Sequence, residues 1–269
     1  MGAAQLGAVT AMRKIYVILS SLSLVMSVSQ KTVCAESWQD AFSTHQYVGT
    51  GGQVLPYRLL KPEKIEPGQS YPLVLFLHGA GERGADNALQ LVHGAGAFAT
   101  PENRRKHPCF VVAPQCPLDR HWVEVDWALP SHTMPREPSV PLRLALELVD
   151  KLAAELPADK RRFYITGLSM GSFGTWDATA RWPRYFAAAV PICGGDAAQA
   201  AKLRNLPIWA FHGDRDATVR PRRTTDMIDA IRKAGGTPKM TIYPGVEHDS
   251  WNRAYADPAV LDWLFAQKN

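Results

Sequence analysis

Between residues 45 and 267 the chain alternates short apolar runs with stretches of helical periodicity. Leu73–Leu77, behind Pro72, and Phe110–Ala113 are continuously apolar, as strands buried on both faces are. Arg162–Thr166, Phe186–Ile192, Pro207–Phe211 and Lys239–Tyr243 read as four further strands. Tyr47–Val48 and Val54–Leu60 flank Gly49-Thr50-Gly51-Gly52 and predict an opening hairpin. Pro141–Leu156 places Leu142, Leu146, Val149 and Leu152-Ala153 at helical spacing. Gly171–Trp182 is helical up to Pro183, Arg222–Lys233 up to Gly235-Gly236, and Pro258–Gln267 forms a last helix. Strands alternating with helices predict an α/β fold, with a mostly parallel central sheet and helices on both faces. No linker is visible after residue 45, so residues 36–269 are expected to form a single domain.

Two regions break this rhythm. Ala80–Pro108 holds a glycine-rich turn and a short helix expected around Asn87–His93. Pro114–Ser139 is rich in proline, tryptophan and charge, and is long for a connection without structure of its own. It is expected to form part of a substrate wall.

The first 35 residues read as an address. Met12-Arg13-Lys14 is a positive segment, Ile15–Val28 an apolar run, and Val33-Cys34-Ala35 approaches a small-x-small cleavage site. About 14 apolar residues interrupted by serines are short for a membrane span of roughly 20. A cleaved signal peptide over residues 1–35 and an exported product, periplasmic or secreted, are therefore expected, with no membrane anchor after processing. The whole chain has 30 basic and 25 acidic residues; without Arg13, Lys14 and Lys31 the basic count falls to 27. That near balance, with no basic cluster interleaved with aromatics, argues against a nucleic-acid partner. Processing leaves Cys109, Cys116 and Cys193. One disulfide among them is allowed in an oxidising compartment, with the pair unassigned. Cys193 reads as a small buried residue rather than a nucleophile.

The chemistry gathers around Gly167-Leu168-Ser169-Met170-Gly171, a G-x-S-x-G elbow between a strand and a helix. This spacing lifts the serine hydroxyl above the sheet edge, and together with the alternating pattern it predicts the α/β-hydrolase fold. A hydroxyl attacks only once a base takes its proton, and an acid must orient that base. In this fold the acid precedes the histidine in sequence. Of the two histidines beyond Ser169, His212 closes an apolar strand and reads as structural, whereas His248 lies in a polar loop after the last strand and is the candidate base. Asp214 and Asp216 compete as the acid; Asp216 is preferred because Val219-Arg220-Pro221 can pin its loop, with Asp214 capping the turn. The backbone N–H of Met170 and of Ala80, with Gly81 as neighbour, are the candidate oxyanion donors. His78 is expected to brace that turn, and Glu82 and Arg83 to pair with each other or with solvent. Trp176 and Trp182 read as core. Trp122, Trp127 and Trp251 stand evenly between packing and a pocket, with Trp122 and Trp251 taken as substrate-binding candidates.

Leu75–Gly84, Ala113–Pro117, Gly167–Gly171, Pro191–Gly195 and His212–Asp216 together resemble the bacterial phospholipase/carboxylesterase-like, or predicted peptidase, group of α/β-hydrolases. That group is related to feruloyl and acetylxylan esterases and polyhydroxybutyrate depolymerases. The resemblance spans about residues 45 to 267. It implies Ser169, Asp216 and His248 as triad, with no metal and no organic cofactor, and favours Asp216 over Asp214. The expected activity is hydrolysis of small acyl or aryl esters, free or polymer-attached, with acetyl and feruloyl groups as examples. A serine peptidase of the same fold is the competing enzyme class. A binding protein on a hydrolase scaffold is disfavoured because all three triad positions are filled. Oligomeric state and substrate identity stay open.

Overall fold

The computed structural model describes residues 37–195 and 197–269; the leader expected over residues 1–35 lies outside them. The strands are β1 (Phe42–Val48), β2 (Val54–Leu60), β3 (Tyr71–Leu77), β4 (Phe110–Pro114), β5 (Ala158–Leu168), β6 (Ala188–Ile192), β7 (Trp209–Gly213) and β8 (Lys239–Tyr243). They form one eight-stranded sheet in the order β1-β2-β4-β3-β5-β6-β7-β8. The β1–β2 and β2–β4 pairs are antiparallel, and every later pair is parallel. The glycine turn at residues 49–52 closes the expected hairpin, with Val48 opposite Val54.

The helices are α1 (Gly96–Ala99), α2 (Pro101–Lys106), α3 (Val140–Glu155), α4 (Met170–Arg181), α5 (Arg222–Lys233), α6 (Trp251–Ala256) and α7 (Pro258–Ala266). Along β3, alternate side chains serve opposite faces, as the strand period of two requires. Leu73, Leu75 and Leu77 pack with Leu142, Leu148 and Leu152 of α3, Trp176 of α4 and Ile228 of α5. Val74 and Phe76 pack with Phe98 of α1, Tyr255 of α6 and Leu264 of α7. The sheet is thus covered on both faces, and β3, β4 and β6 are buried along their whole length. Three helices begin at a polar cap with proline at the first or second helical position. Thr100 accepts from Asn103 N, Ser139 from Leu142 N and Asp257 from Ala259 N, each meeting an amide that the first helical turn leaves open.

The expected helix around Asn87–His93 is only a 3-10 turn at Leu89–Leu91. Asn87 has φ 54°, which no α-helix accommodates, and Gly94 at φ 77° lies where a side chain would meet the Tyr255 ring. The helices in this region come later, where Thr100-Pro101 supplies the start signal. The long segment 115–139 has no regular structure of its own, yet side chains hold it down. Trp122 Nε1 donates to the His78 carbonyl (3.0 Å), and Ser139 Oγ donates to the Trp122 carbonyl (2.8 Å). The Arg181 guanidinium, paired with Asp177, donates to the carbonyls of Pro135 and Arg136. The Cys109, Cys116 and Cys193 thiols are buried and free, so the allowed disulfide is not formed.

The α4 helix sits close to β3 because Gly171 permits it. A Cβ at Gly171 would lie 2.0 Å from the Leu77 carbonyl oxygen, and one at Gly167 would lie 2.3 Å from the Gly171 carbonyl oxygen. Neither contact is possible without moving backbone. Gly171→Ala is therefore expected to destabilise the fold by about 2–3 kcal/mol or more, measured by urea unfolding. A loss under about 0.5 kcal/mol would show that α4 can shift without penalty.

Candidate active site

Ser169 lies between the last residue of β5 and the first of α4, with φ 51° and ψ −119°. For a non-glycine residue such a conformation costs on the order of 1–3 kcal/mol and persists only where its surroundings impose it. Here they do: Ser169 N donates to the Ile192 carbonyl at 2.9 Å, and the Ser169 carbonyl accepts from Ser172 N at 2.8 Å. The side chain is thereby directed away from the helix axis, toward the loop that follows β8.

That loop is fastened to the one after β7. Asp214 N donates to the Tyr243 carbonyl (3.1 Å) and Arg215 N to the Val246 carbonyl (2.9 Å), while Asp214 Oδ1 accepts from Gly245 N (2.7 Å). Gly213 lets the two strands of loop touch, since a Cβ there would lie 2.2 Å from the Val246 carbonyl oxygen. Asp214 thus caps the neighbouring turn, which presents His248.

The structure brings Ser169, His248 and Asp216 into one hydrogen-bonded chain. Ser169 Oγ is 2.9 Å from His248 Nε2, and His248 Nδ1 is 2.7 Å from Asp216 Oδ2. A carboxylate only accepts, so Nδ1 carries the hydrogen and Nε2 turns its lone pair to the serine hydroxyl. Asp216 is buried; its Oδ1 accepts from the amides of Thr218 and Val219, each at 2.9 Å. Burial alone would raise its pKa, but hydrogen bonds from His212, His248 and Val219 N outweigh it and hold the carboxyl below the usual range. The acid therefore stays ionised beside the imidazole. The side chain of His248 keeps 23% of its surface exposed.

Cys193 Sγ, an Asp216 oxygen and a His248 nitrogen lie within 4.8 Å of one another. Burial raises the Cys193 pKa, keeping it a thiol, and the bond between Nδ1 and Oδ2 already engages the other two groups.

Met170 is the first residue of α4, and Ala80 the first of a 3-10 turn at Ala80–Glu82. Amides at such positions have no acceptor within the helix and are free to meet an anion. The turn passes beside the serine: a Cβ at Gly79 would stand 3.6 Å from Ser169 Cβ. His78 braces it. Its Nδ1 donates to the Gly79 carbonyl (2.6 Å), its Nε2 accepts from Cys116 N (2.9 Å), and its ring stands edge-on to Trp122 at 5.2 Å. Arg83 Nε donates to the Ala80 carbonyl at 2.9 Å.

Two expectations about side chains need correction. Trp122 has no exposed surface; its indole supports His78 from below and offers nothing to a ligand. Glu82 and Arg83 do not pair. Glu82 lies 3.8 Å from His93, while Arg83 reaches His121 Nε2 at 3.1 Å. Trp127 is partly buried against the core. Trp251 is half-buried and stands edge-on to His248 (5.4 Å between ring centres, 89° between planes). It also lines a groove of about 500 Å³ with Trp38, Val92 and Tyr255. The contact of His212 with Asp216, at 3.1 Å, was not foreseen in the sequence, where His212 read only as a strand end.

The elbow at the end of β5, the acid after β7 and the histidine after β8, on a sheet with helices on both faces, define the α/β-hydrolase fold. Residues 137–260 match the dienelactone hydrolase family. Over 90% of its length the chain is 28% identical to poly(3-hydroxyalkanoate) depolymerase C of Paucimonas lemoignei, covering 63% of that protein. A solved thermostable esterase is 38% identical with a TM-score of 0.80, over 86% of this chain and 64% of that one. A ferulic acid esterase at 16% identity and TM-score 0.63 shares the fold. The chain is similar to these proteins over most of its own length. It spans just under two thirds of the length of the depolymerase and of the thermostable esterase.

His78 ties this site to pH. Burial lowers its pKa from 6.5 to about 4, against the opposing pull of the Gly79 carbonyl. Between those values the unfolded chain binds a proton that the folded chain refuses, so stability rises with pH through that window. Acidification from pH 7.5 to 4.5 should remove on the order of 3 kcal/mol through this residue. His78→Asn, although less stable at pH 7.5, should lose correspondingly less on the same acidification. Equal losses in urea unfolding of the two proteins would contradict the assignment.

Proposed function

We propose that this protein is an exported serine esterase that cleaves small acyl or aryl carboxylic esters through an acyl-enzyme on Ser169. The observation that carries the reading is the chain from Ser169 Oγ through His248 to the ionised Asp216, built on a strained elbow. His248 Nε2 takes the Ser169 proton as Oγ attacks the acyl carbon, and Asp216 steadies the imidazolium that forms. The amides of Met170 and Ala80 hold the oxyanion. Collapse of the tetrahedral intermediate expels the alcohol, which takes the proton from His248. Water, deprotonated by the same imidazole, attacks the acyl group, the acid departs and Ser169 is restored. The groove beside Trp251 is assigned to the organic group of the substrate, the role that Trp122 cannot fill. The names of the relatives, a polyester depolymerase and esterases, support an ester rather than an amide as substrate. Free and polymer-attached esters both remain within this class, and acetyl and feruloyl esters are the first to test. The leader expected from the sequence of residues 1–35 supports export.

Turnover of p-nitrophenyl acetate and methyl ferulate, set against aminoacyl amides, tests the activity; amide cleavage with comparable kcat/KM would replace the esterase reading by a peptidase one. Ser169→Ala should lower kcat by about five or six powers of ten with the fold intact. Asp216→Asn should lower it by roughly four, whereas Asp214→Asn should retain far more activity. The reverse order for the two aspartates would overturn the choice of acid. Fractionation of a bacterium expressing the full chain should recover it outside the cytoplasm, shortened by the leader; cytoplasmic retention at full length would contradict export.

A further inference from the structure

The carboxylate that holds His248 has a second histidine on it. His212, one residue from the end of β7, is wholly enclosed. Its Nε2 lies 3.1 Å from Asp216 Oδ2, the oxygen that also takes His248 Nδ1, and 2.8 Å from the Val219 carbonyl. Both neighbours only accept, so Nε2 carries a hydrogen and donates to them. Across the ring, Nδ1 is 2.7 Å from Thr224 Oγ1 of α5, and that hydroxyl is 2.8 Å from the Gly194 carbonyl. Groups from the β7–α5 loop and from α5 thus hold the imidazole at both nitrogens.

We infer that His212 is a positioning residue for ester hydrolysis: it fixes the orientation of the Asp216 carboxylate and, by sharing the oxygen that faces His248, sets how basic His248 is. This rests on the triad reading above. Two donors on one carboxylate oxygen divide its charge between them. Without the His212 hydrogen, that charge falls on His248 alone, which favours the imidazolium, while the carboxylate loses one of the contacts that orient it. The other titratable groups facing this pair are Cys193, within 4.8 Å of Asp216 and His248, and Asp249, whose charge acts on Cys193. On α5, Arg223 beside Thr224 is turned to His132 and the Asp126 carbonyl. All of these are common to the proteins compared below.

The test is the pH profile of kcat/KM on p-nitrophenyl acetate, normalised to sites labelled by a fluorophosphonate. Because His248 must be neutral to act, activity has an acid limb. His212→Leu should move its midpoint up by about half a pH unit or more and lower the plateau by about 10- to 100-fold. His212→Gln, whose amide N–H can stand where Nε2–H stood, should recover most of both. A merely structural histidine would lower Tm and leave the midpoint of the labelled sites where it was; that result in folded His212→Leu overturns the proposal. Should His212→Leu not fold, Thr224→Val decides, since it frees the ring at Nδ1. A smaller upward shift supports the proposal, and an unmoved limb overturns it. Failure of the wild type to label at Ser169 overturns the triad reading itself, an outcome distinct from normal labelling with an unmoved limb.

Discussion

A carboxylate taken out of water needs donors on its oxygens, and the arrangement around Asp216 follows from that requirement. Two amides of its own loop serve Oδ1, and two imidazoles serve Oδ2. Those contacts outweigh burial and keep the group charged. A charged Asp216 fixes which nitrogen of His248 carries the hydrogen, and hence which nitrogen faces Ser169. The rest of the site depends on this: an uncharged or displaced Asp216 would leave His248 free to turn its hydrogen toward the serine and make it useless as a base.

The scaffold meets this demand by fastening backbone rather than by lengthening side chains. The loops after β7 and β8 are joined through Asp214, Arg215 and Gly245, and Gly213 permits their contact. On the other side, Gly167 and Gly171 let β5, α4 and β3 approach to distances at which any Cβ would collide with a carbonyl. The strain at Ser169 is held by this packing, and the same packing brings the Ala80 turn beside the serine. His78, Trp122 and Cys116 then lock that turn from below, which links the site to the acid stability of the fold.

Much of this was legible in the sequence because it rests on local rules. Continuous apolar runs marked the parallel strands, Gly49–Gly52 marked the hairpin, and the elbow announced itself by glycines that only a tight strand-to-helix turn requires. The order of acid and histidine along the chain narrowed the candidates to His248 with Asp214 or Asp216, and the pinned loop and the family resemblance favoured Asp216. What stayed hidden depends on contacts between distant residues. Nothing adjacent to Trp122 reveals that its indole meets the His78 carbonyl 44 positions away. Glu82 and Arg83 are neighbours in sequence, but the turn sends one toward His93 and the other toward His121. His212 read as a strand end because its link to Asp216 exists only once the β7 loop has curled back. Position before glycine at the end of a strand that leads into the acid loop was the signal available for it.

The proposed chemistry requires that Ser169 Oγ, activated through His248 by a buried and charged Asp216, form a covalent bond to the acyl group of an ester. Acid-quenching the protein during turnover of p-nitrophenyl acetate, followed by peptide mass spectrometry, tests this directly. An acetyl group is expected on the peptide containing Ser169, on that residue. Turnover without such an adduct under conditions where deacylation is slow, or an adduct on another side chain, would contradict it.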